Sequence, residues 1–409
     1  MKQILYLKYI ISLICSVIIC FGEQIYINDP VIVEDFVGSG FVGDIDGVGN
    51  QTMFEVTEDS SYFLSKDKFD NLFFLSGRYE NKSIKKVSPN GKIEKLGTNA
   101  KFTFSKFFND NFYIVSENYN TIYKSPKFLD YSIHKKGFIP KLDLIGGMCI
   151  DSFGNIYLSY TRENKIYILK QNGDFDVFVG SGNSGYADGN GIFSSFFHPR
   201  HLAIDSSNNI FVNDSDNHTI RKIDTSKNVK LYAGETRSYS FPGLDGQRGA
   251  SSCISIKSMT CDQNGNLIIS TQHSIRIIDK TGFIKTIAGN YYVSGYQNSS
   301  GIGSKFEDVV DVVSVGNIIY VAESKFPRIR KITIGESSAK KPFDNINIKL
   351  SAGITINGTV GKKYSIESSS NGGKQWIGLT ELDLPKTPYT WYDENLVGTN
   401  NLYRVFETP

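Results

Sequence analysis

Residues 177–235 read VFVGSGNSGYADGNGIFSSFFHPRHLAIDSSNNIFVNDSDNHTIRKIDTSKNVKLYAGE, and this stretch decides the fold. It begins with a Gly-rich loop and continues as four short apolar runs separated by polar turns. The first turn contains Asn208 and Asn209, and the last two runs contain Ile220 and Tyr232. Short apolar runs bounded by turn residues are typical of β-strands. The stretch therefore predicts one antiparallel sheet of four strands.

The same unit recurs along the chain. An Asn opens a strand-like apolar run at six places, about 40 to 57 residues apart, a spacing typical of propellers. The residue before each Asn is Asp, Gly or Asn, which tolerate the positive φ of a two-residue hairpin turn. In four copies an Asp stands four residues upstream and can accept backbone N–H bonds across the turn, whereas Phe107 and Val313 replace it in the other two. The six Asn positions are Asn71, Asn111, Asn155, Asn209, Asn266 and Asn317.

The second strand of each unit is apolar at almost every position, so both of its faces are expected to be covered. Sheets stacked face to face around an axis satisfy this condition, and six such units predict an all-β, six-bladed β-propeller with four-stranded blades. An outer-strand signal at 36–38 precedes the first complete unit, and none follows the sixth. We therefore expect the strand near Asp35 to Gly38 to complete the last blade and close the ring.

The chain resembles the NHL repeat, a family of six-bladed propellers. The resemblance rests on the Val179-Gly180 and Ala233-Gly234 strand ends and on YADG at 186–189. It also rests on HP at 198–199, the AID…NNIFV core and DSDNHTIRKI at 214–223. The six-bladed propeller that this resemblance implies agrees with the six repeated units in the sequence.

Composition supports an all-β protein, because aromatic residues make up 13% of the chain and it contains 38 glycines. The 44 basic and 42 acidic residues nearly cancel, which argues against a nucleic-acid partner.

Four regions are expected. Residues 1–22 have a basic start and an apolar run from Tyr9 to Phe21, which predicts a signal peptide and a secreted, periplasmic or cell-envelope protein with no membrane span after cleavage. Residues 30–335 form the propeller and 336–345 a linker. Residues 346–409 contain short strand patterns around Trp376, Trp391 and Tyr403 that predict a small β-sandwich-like module.

Three cysteines remain after removal of the signal: Cys149, Cys253 and Cys261. An odd number cannot all pair within one chain, so buried free thiols are expected, with a Cys253–Cys261 bridge as the alternative.

Four units carry a long insertion before their innermost strand, at 38–54, 180–196, around 242–246 and at 295–306. We expect these loops to cluster on one face, where loops on a rigid scaffold commonly bind ligands. His198 and His201 stand out because no other unit repeats them. The candidate binding residues are Tyr186, Asp188, His198, His201 and Asp245.

Asp44, Asp46 and Asn50 resemble the start of a calcium loop, with oxygen ligands on alternate residues and Glu55 at position twelve. The same place in the fourth unit has no ligand set, so calcium is a minor alternative to an ordinary turn, and no other cofactor or metal is predicted.

The function that the sequence favours is non-catalytic: a monomeric binding or scaffold protein whose loops hold a protein or glycan ligand. The alternative is a propeller hydrolase or lyase, lactonase-like or amidating-lyase-like, with a site at the channel mouth. Such a site needs His or carboxylate groups from several inner strands, and Asp308, Asp311 and His201 are the candidates. Carbohydrate binding by Trp376 or Trp391 is a third possibility. No residue is assigned as catalytic.

Overall fold

The computed structural model describes residues 31–55, 64–77, 82–100, 104–116, 121–125, 134–138, 145–235, 243–335, 353–356, 362–369, 377–383, 389–392 and 402–407. The chain divides into two compact units, Met1–Ser338 and Ala339–Pro409. The predicted signal peptide and linker lie outside the described residues.

The strands between residues 31 and 334 form six antiparallel sheets, numbered here from 1 to 6 by the position of their innermost strand. Sheet 1 contains Ser65–Lys66, Leu72–Ser76, Lys82–Val87 and Lys92–Ala100. Sheet 2 contains Phe104–Phe108, Asn111–Ser116, Thr121–Ser125 and His134–Phe138. Sheet 3 contains Ile145–Ile150, Ile156–Tyr160, Lys165–Leu169 and Phe175–Val179.

Sheet 4 contains Pro199–Ile204, Ile210–Asp214, Thr219–Ile223 and Asn228–Gly234. Sheet 5 contains Ser258–Cys261, Leu267–Ser270, Ser274–Ile278 and Ile284–Gly289. Sheet 6 contains Val309–Val315, Ile318–Glu323, Arg328–Ile334 and, as its outer strand, Val31–Val37. Short strands extend the outer edges of sheets 1, 4 and 6 at Gly47–Val48, Gly189–Asn190 and Ser299–Ser300.

Helical structure in the described residues consists of single 3-10 turns at Gly49–Gln51, Thr161–Glu163, Gly191–Phe193, Ser215–Asn217 and Gly301–Gly303. Within the described residues, no helix has the length and apolar character needed to cross a membrane.

Buried apolar clusters join neighbouring sheets. Large clusters lie between sheets 6 and 1, 5 and 6, 2 and 3, 3 and 4, and 4 and 5. Among the described residues, the cluster between sheets 1 and 2 is small, with Phe73 and Phe112 at its centre. The all-β propeller is confirmed. The number of blades stays a prediction. Only residues 101–103 separate sheets 1 and 2 in the chain, which leaves no insertion to pack between them.

The first described strand closes the ring, as predicted. Val31–Val37 pairs antiparallel with the third strand of sheet 6, from Val31 opposite Ile334 to Val37 opposite Ile329. Val31, Val33 and Val37 are buried, and Ile32 between them is exposed. The chain therefore joins both ends of the propeller in one sheet.

The first hairpin turn of each sheet has the predicted backbone. The residues before the six repeated Asn all have positive φ, from 60° at Asp110 to 82° at Gly154. The upstream Asp also acts as predicted: in sheet 4, Asp205 Oδ1 accepts the N–H groups of Ser207 and Asn209. The same bonds form at Asp67, Asp151 and Asp262.

The predicted two-residue turn is wrong for the four hairpins with this Asp. In sheet 4 the N–H of Asp205 bonds to the carbonyl of Asn209, which encloses a three-residue loop. Two-residue turns occur in sheets 2 and 6, between the pairs Phe108–Asn111 and Val315–Ile318. These are the two sheets in which Phe107 and Val313 replace the Asp, so the carboxylate is present where the longer loop has more N–H groups to satisfy.

The second unit is also built of strands. Gly353–Ile356 pairs with Tyr389–Tyr392, and Lys363–Ser369 pairs with both Ile377–Asp383 and Leu402–Glu407. Two sheets agree with a β-rich module, and the sandwich arrangement stays a prediction. Trp376 and the side chain of Trp391 lie outside the described residues.

The closing strand gives a first prediction. Val33→Ala should lower the free energy of unfolding by roughly 2 kcal/mol, because it opens a cavity in the buried cluster between sheets 5 and 6. Ile32→Ala is the matched control, since Ile32 is 52% exposed; its effect should stay within about 0.5 kcal/mol. Urea denaturation measures both, and equal losses would contradict the closure.

Candidate functional site

The four insertion loops lie along the outer rim of the propeller. In the loop before sheet 4, the short strand Gly189–Asn190 pairs with Val229 and Asn228 on the outer strand of that sheet. The N–H of Gly180, at the end of sheet 3, donates to the carbonyl of Gly191 at 3.1 Å. Segments of the other three loops also pair with an outer strand, so each loop connects two consecutive sheets at their outer edges, and the expected clustering of the loops on one face stays a prediction. We call residues 38–54, 180–198, 243–256 and 290–306 the rim loops.

A buried cation holds each rim loop from beneath. Arg221, in the third strand of sheet 4, is 1% exposed. Its Nη1 donates to the carbonyl of Ser195 at 3.1 Å, and its Nη2 donates to the carbonyl of Ala187 at 3.1 Å and to Asp188 Oδ1 at 2.6 Å. One guanidinium thus bonds to both arms of the loop, and its planar set of donors suits this geometry.

The same bonds recur in sheet 5. Arg276 donates to the carbonyls of Ser252 and Leu244, at 2.6 and 2.5 Å, and its Nη2 lies 3.0 Å from Asp245 Oδ1. In sheet 6, Arg330 donates to the carbonyls of Lys305 and Gln297 and to Asn298 Oδ1. Sheet 1 has Lys85 at this position, and its ammonium group forms ion pairs with Asp44 and Asp46.

These cations follow a recurring Ile in the third strand. Lys85, Arg221, Arg276 and Arg330 come directly after it in the four sheets whose rim loops are long, whereas sheets 2 and 3 have Tyr123 and Tyr167 there. Tyr167 stacks on Phe175, with ring centroids 5.0 Å apart, and its hydroxyl donates to Glu163. From the sequence, Arg330 is expected at a solvated strand edge, but it is 0% exposed; the recurrence of a basic residue directly after this Ile is the signal that could have revealed the feature.

Asp188 and Asp245 were predicted as binding residues, and the structure places both carboxylates on the loop-anchoring arginines. Tyr186, two residues before Asp188, is 56% exposed. The side chain of Asp188 is 53% exposed even though it pairs with Arg221, so an aromatic ring and a carboxylate that already has a partner both face solvent in this part of the predicted site.

The predicted calcium loop contains a charge cluster. The Nζ of Lys85 lies 2.5 Å from Asp44 and 2.6 Å from Asp46, and the Nζ of Lys95 lies 2.6 Å from Asp44. Burial raises the pKa of Asp44, but hydrogen bonds from the two lysines outweigh it and bring the pKa below its ordinary value. A calcium ion here would compete with two ammonium groups. In the described part of the chain, no three or more His, Cys, Asp or Glu side chains cluster in a way that could hold a metal ion.

The two unrepeated histidines have separate surroundings. His198 has a left-handed backbone, with φ at 51°, and its N–H donates to Asn164 Oδ1 of sheet 3. Its Nδ1 lies 2.7 Å from Asp216 Oδ2, and about two fifths of each side chain is exposed. His198 therefore forms a partly exposed His–Asp pair at the end of a rim loop.

His201 belongs to the innermost strand of sheet 4. The pairing of this strand shifts between Pro199 and Leu202, so Arg200 and His201 form a bulge. Burial, together with the positive charges of Arg200, Lys257 and Lys106, lowers the pKa of His201 to about 4. The ring is therefore neutral at neutral pH.

Asp311 connects three inner strands around the axis. Its carboxylate accepts the N–H of Leu64 before sheet 1 and the hydroxyl of Ser258 in sheet 5, and the N–H of Val312 donates to it at 2.7 Å. Burial raises its pKa to about 6, while the charge of Lys106 opposes the shift. Asp308, the other carboxylate candidate, accepts the hydroxyl of Ser324. Both axial carboxylates therefore have protein donors, while Asp308 Oδ1 is buried with no hydrogen-bond partner among the described residues.

The three remaining cysteines are free thiols, so the alternative Cys253–Cys261 bridge does not form. Burial raises the pKa of Cys253 to about 12 and that of Cys261 well above its ordinary value. These thiols are poor nucleophiles and pack as small apolar side chains.

No protein-family model matches the chain, and curated protein sequences show no match. Solved structures do match. A Bacteroides thetaiotaomicron structural genomics protein of unknown function aligns with a TM-score of 0.58 at 17% identity, over 74% of this chain and 76% of that one. An auxiliary nutrient binding protein from the same organism has a TM-score of 0.58 at 14% identity, over 75% and 77%. One from Bacteroides ovatus has a TM-score of 0.57 at 15% identity, over 75% and 78%. At these identities the likeness shows a shared propeller fold.

The loop anchors give a second prediction. Arg221→Met should lower the free energy of unfolding by about 3–5 kcal/mol, because it leaves the carboxylate of Asp214, which is 0% exposed, without its cation. Arg276→Met should cost about 1–3 kcal/mol, since its partner Asp245 is partly hydrated. The exposed Lys230→Met is the control in urea denaturation. Equal stability of the Arg221 and Lys230 variants would contradict the anchor.

A third prediction concerns pH. The pKa of His201 is about 4 in the folded protein, against 6.5 for an unperturbed His, so between these values the unfolded chain binds the extra proton. The stability of the wild type relative to His201→Gln should therefore rise by about 1–3 kcal/mol from pH 4 to pH 6.5. The raised pKa of Asp311 makes stability fall as the pH rises from 4 to 6. Asp311 is present in both proteins, so its contribution cancels in the difference between them. A pH-independent difference in urea denaturation would show that His201 is not held neutral.

Proposed function

We propose that this chain is an exported, monomeric, six-bladed propeller of the NHL type, with one blade for each sheet, and that it binds a protein or glycan ligand through its rim loops without catalysis. The observation that carries the proposal is that the rim loops are anchored from beneath by buried cations while they hold large apolar side chains in solvent.

The exposed apolar side chains are large and occur in every rim loop. Phe193 is 81% exposed, Ile302 71% and Phe41 70%. Phe193 and Ile302 occupy equivalent 3-10 turns in the loops before sheets 4 and 6. Further exposed apolar residues of the rim loops are Val42, Ile45, Val48, Tyr186, Ile192, Leu244, Tyr292, Val293 and Tyr296.

Rigid display of such side chains favours binding. Exposed apolar area on a monomer commonly marks a ligand surface, and aromatic side chains supply contact area for little loss of conformational entropy. An anchored loop also loses less freedom when a ligand binds. The loops therefore have the two properties that a binding surface needs, which are apolar area and preorganisation.

Three further points support export, a binding role and a ligand other than nucleic acid. The basic start and apolar run at 1–22 have the pattern of a secretory signal. Two of the similar solved structures are auxiliary nutrient binding proteins. The near balance of charge supports a ligand other than nucleic acid.

The hydrolase or lyase alternative is less well supported. It requires reactive groups at the axis, and the axial carboxylates of Asp311 and Asp308 already accept hydrogen bonds from the protein. His201 is neutral and could accept a proton, but the charged groups that act on its ring are the cations of Arg200, Lys257 and Lys106.

The fourth prediction tests the rim loops. On an array of glycans and purified cell-surface proteins, the full chain should bind at least one ligand. Phe193→Ala should weaken the affinity for that ligand by about tenfold, since aromatic anchors contribute strongly to binding. Phe153→Ala is the matched control, because Phe153 is 76% exposed on the first hairpin of sheet 3, away from any rim loop. The absence of any ligand, or equal loss in both variants, would contradict the proposal.

A further inference from the structure

The innermost strands of sheets 4 and 5 bring basic side chains to the central channel. Arg200 and His201 form the bulge of Pro199–Ile204, and Lys257 directly precedes Ser258–Cys261. These two strands are neighbours around the axis. Arg200 is exposed, and His201 and Lys257 are partly exposed. Two cations and one imidazole thus come from adjacent strands.

Sheet 3 fixes the backbone of the bulge. A Cβ on Gly147 would lie 2.7 Å from the carbonyl oxygen of Arg200, so only glycine allows the two inner strands to approach this closely. The hydroxyl of Ser159 donates to the same carbonyl oxygen, and that of Thr161 donates to the carbonyl of Pro199 at 3.0 Å. Contacts with sheet 3 therefore fix the backbone of the bulge. These hydrogen bonds use backbone carbonyls, and the side chain of Arg200 is exposed.

The channel carries an excess of positive charge. The positive charges of Arg200, Lys257 and Lys106 all lower the pKa of His201, so each of the three side chains acts electrostatically on its ring. The carboxylate among these groups is Asp311, which interacts with Lys106 and accepts three protein hydrogen bonds. The thiol of Cys149 also interacts with Lys106, but burial keeps it protonated. Burial also lowers the pKa of Lys106, so the positive charge available to a ligand comes from Arg200 and Lys257.

We propose that the channel is a second binding site, for a small oxyanion, in which Arg200 and Lys257 hold the negative charge and His201 lies between them. A guanidinium binds phosphate or carboxylate oxygens through paired donors, and an ammonium adds a point charge. The neutral ring of His201 can take up a proton when an anion arrives, because the anion opposes the repulsion from the three cations. The site is independent of the rim loops.

Calorimetric titration of the full chain with inorganic phosphate, and separately with succinate, tests this site. Binding is expected for at least one of the two probes, and it should tighten as the pH falls below 6, with uptake of a proton. Arg200→Gln and Lys257→Gln should each weaken binding by about tenfold. The control Lys230→Gln removes an exposed lysine from the outer strand of sheet 4 and should leave binding unchanged.

Three outcomes would overturn the proposal. The first is the absence of binding heat with both probes at millimolar concentration. The second is equal weakening by the Lys230 variant, which would indicate general charge screening. The third is a pKa of His201, followed by NMR, that does not rise with added phosphate. Near-ultraviolet circular dichroism checks the fold of each variant, and Lys257→Gln carries the test if Arg200→Gln does not fold. Phe193→Ala should bind the probe as the wild type does, which separates this site from the rim loops.

Discussion

The bonds of a buried cation to the two arms of each rim loop are the interaction on which the outer part of this propeller depends. A guanidinium removed from water is costly unless each of its donors finds a partner. The Nη groups of Arg221, Arg276 and Arg330 find them in loop carbonyls and in Asp188, Asp245 or Asn298, whereas the buried Nε groups of Arg221 and Arg330 have no hydrogen-bond partner among the described residues. The loops are long enough to supply these acceptors, and the cations in turn fix loops that would otherwise have little core of their own. Where the cation is replaced by Tyr, as in sheets 2 and 3, the long loop is also missing.

Much of the fold could be predicted from periodicity, because backbone chemistry repeats in the sequence. The Asp and Asn positions of the first hairpins revealed the sheets, and Asp35 to Gly38 revealed the closing strand. Turn length was harder, since a single carboxylate selects a three-residue loop over a two-residue one.

The candidate site was predicted less well. Asp188 and Asp245 look like ligands because they are acidic and lie in Gly-rich loops, but their partners are arginines about 30 residues away, and no local pattern shows that pairing. Lys106 and Lys257 were missed for the same reason.

Two surfaces of different chemistry result from this arrangement. The rim is apolar and made of loops, and each loop is held by a charge beneath it. The axis is polar and made of inner strands, where Asp311 ties sheets 1, 5 and 6 together and the bulge at Arg200 and His201 leaves basic groups exposed. Charge has a structural role at the rim and is available to a ligand at the axis. To the first surface we assign the proposed protein or glycan ligand, and to the second the proposed small anion.

The central claim is that the rim loops are as rigid as the sheets that carry them. Hydrogen exchange of the full chain, followed by mass spectrometry, measures this directly, because backbone amides exchange only when their hydrogen bonds open. The account predicts that the bonded amides of residues 180–198 and 290–306, such as those of Gly191 and Ser304, exchange as slowly as amides in the outer strands. Exchange of these loops at the rate of an unstructured peptide, with the strands still protected, would contradict it.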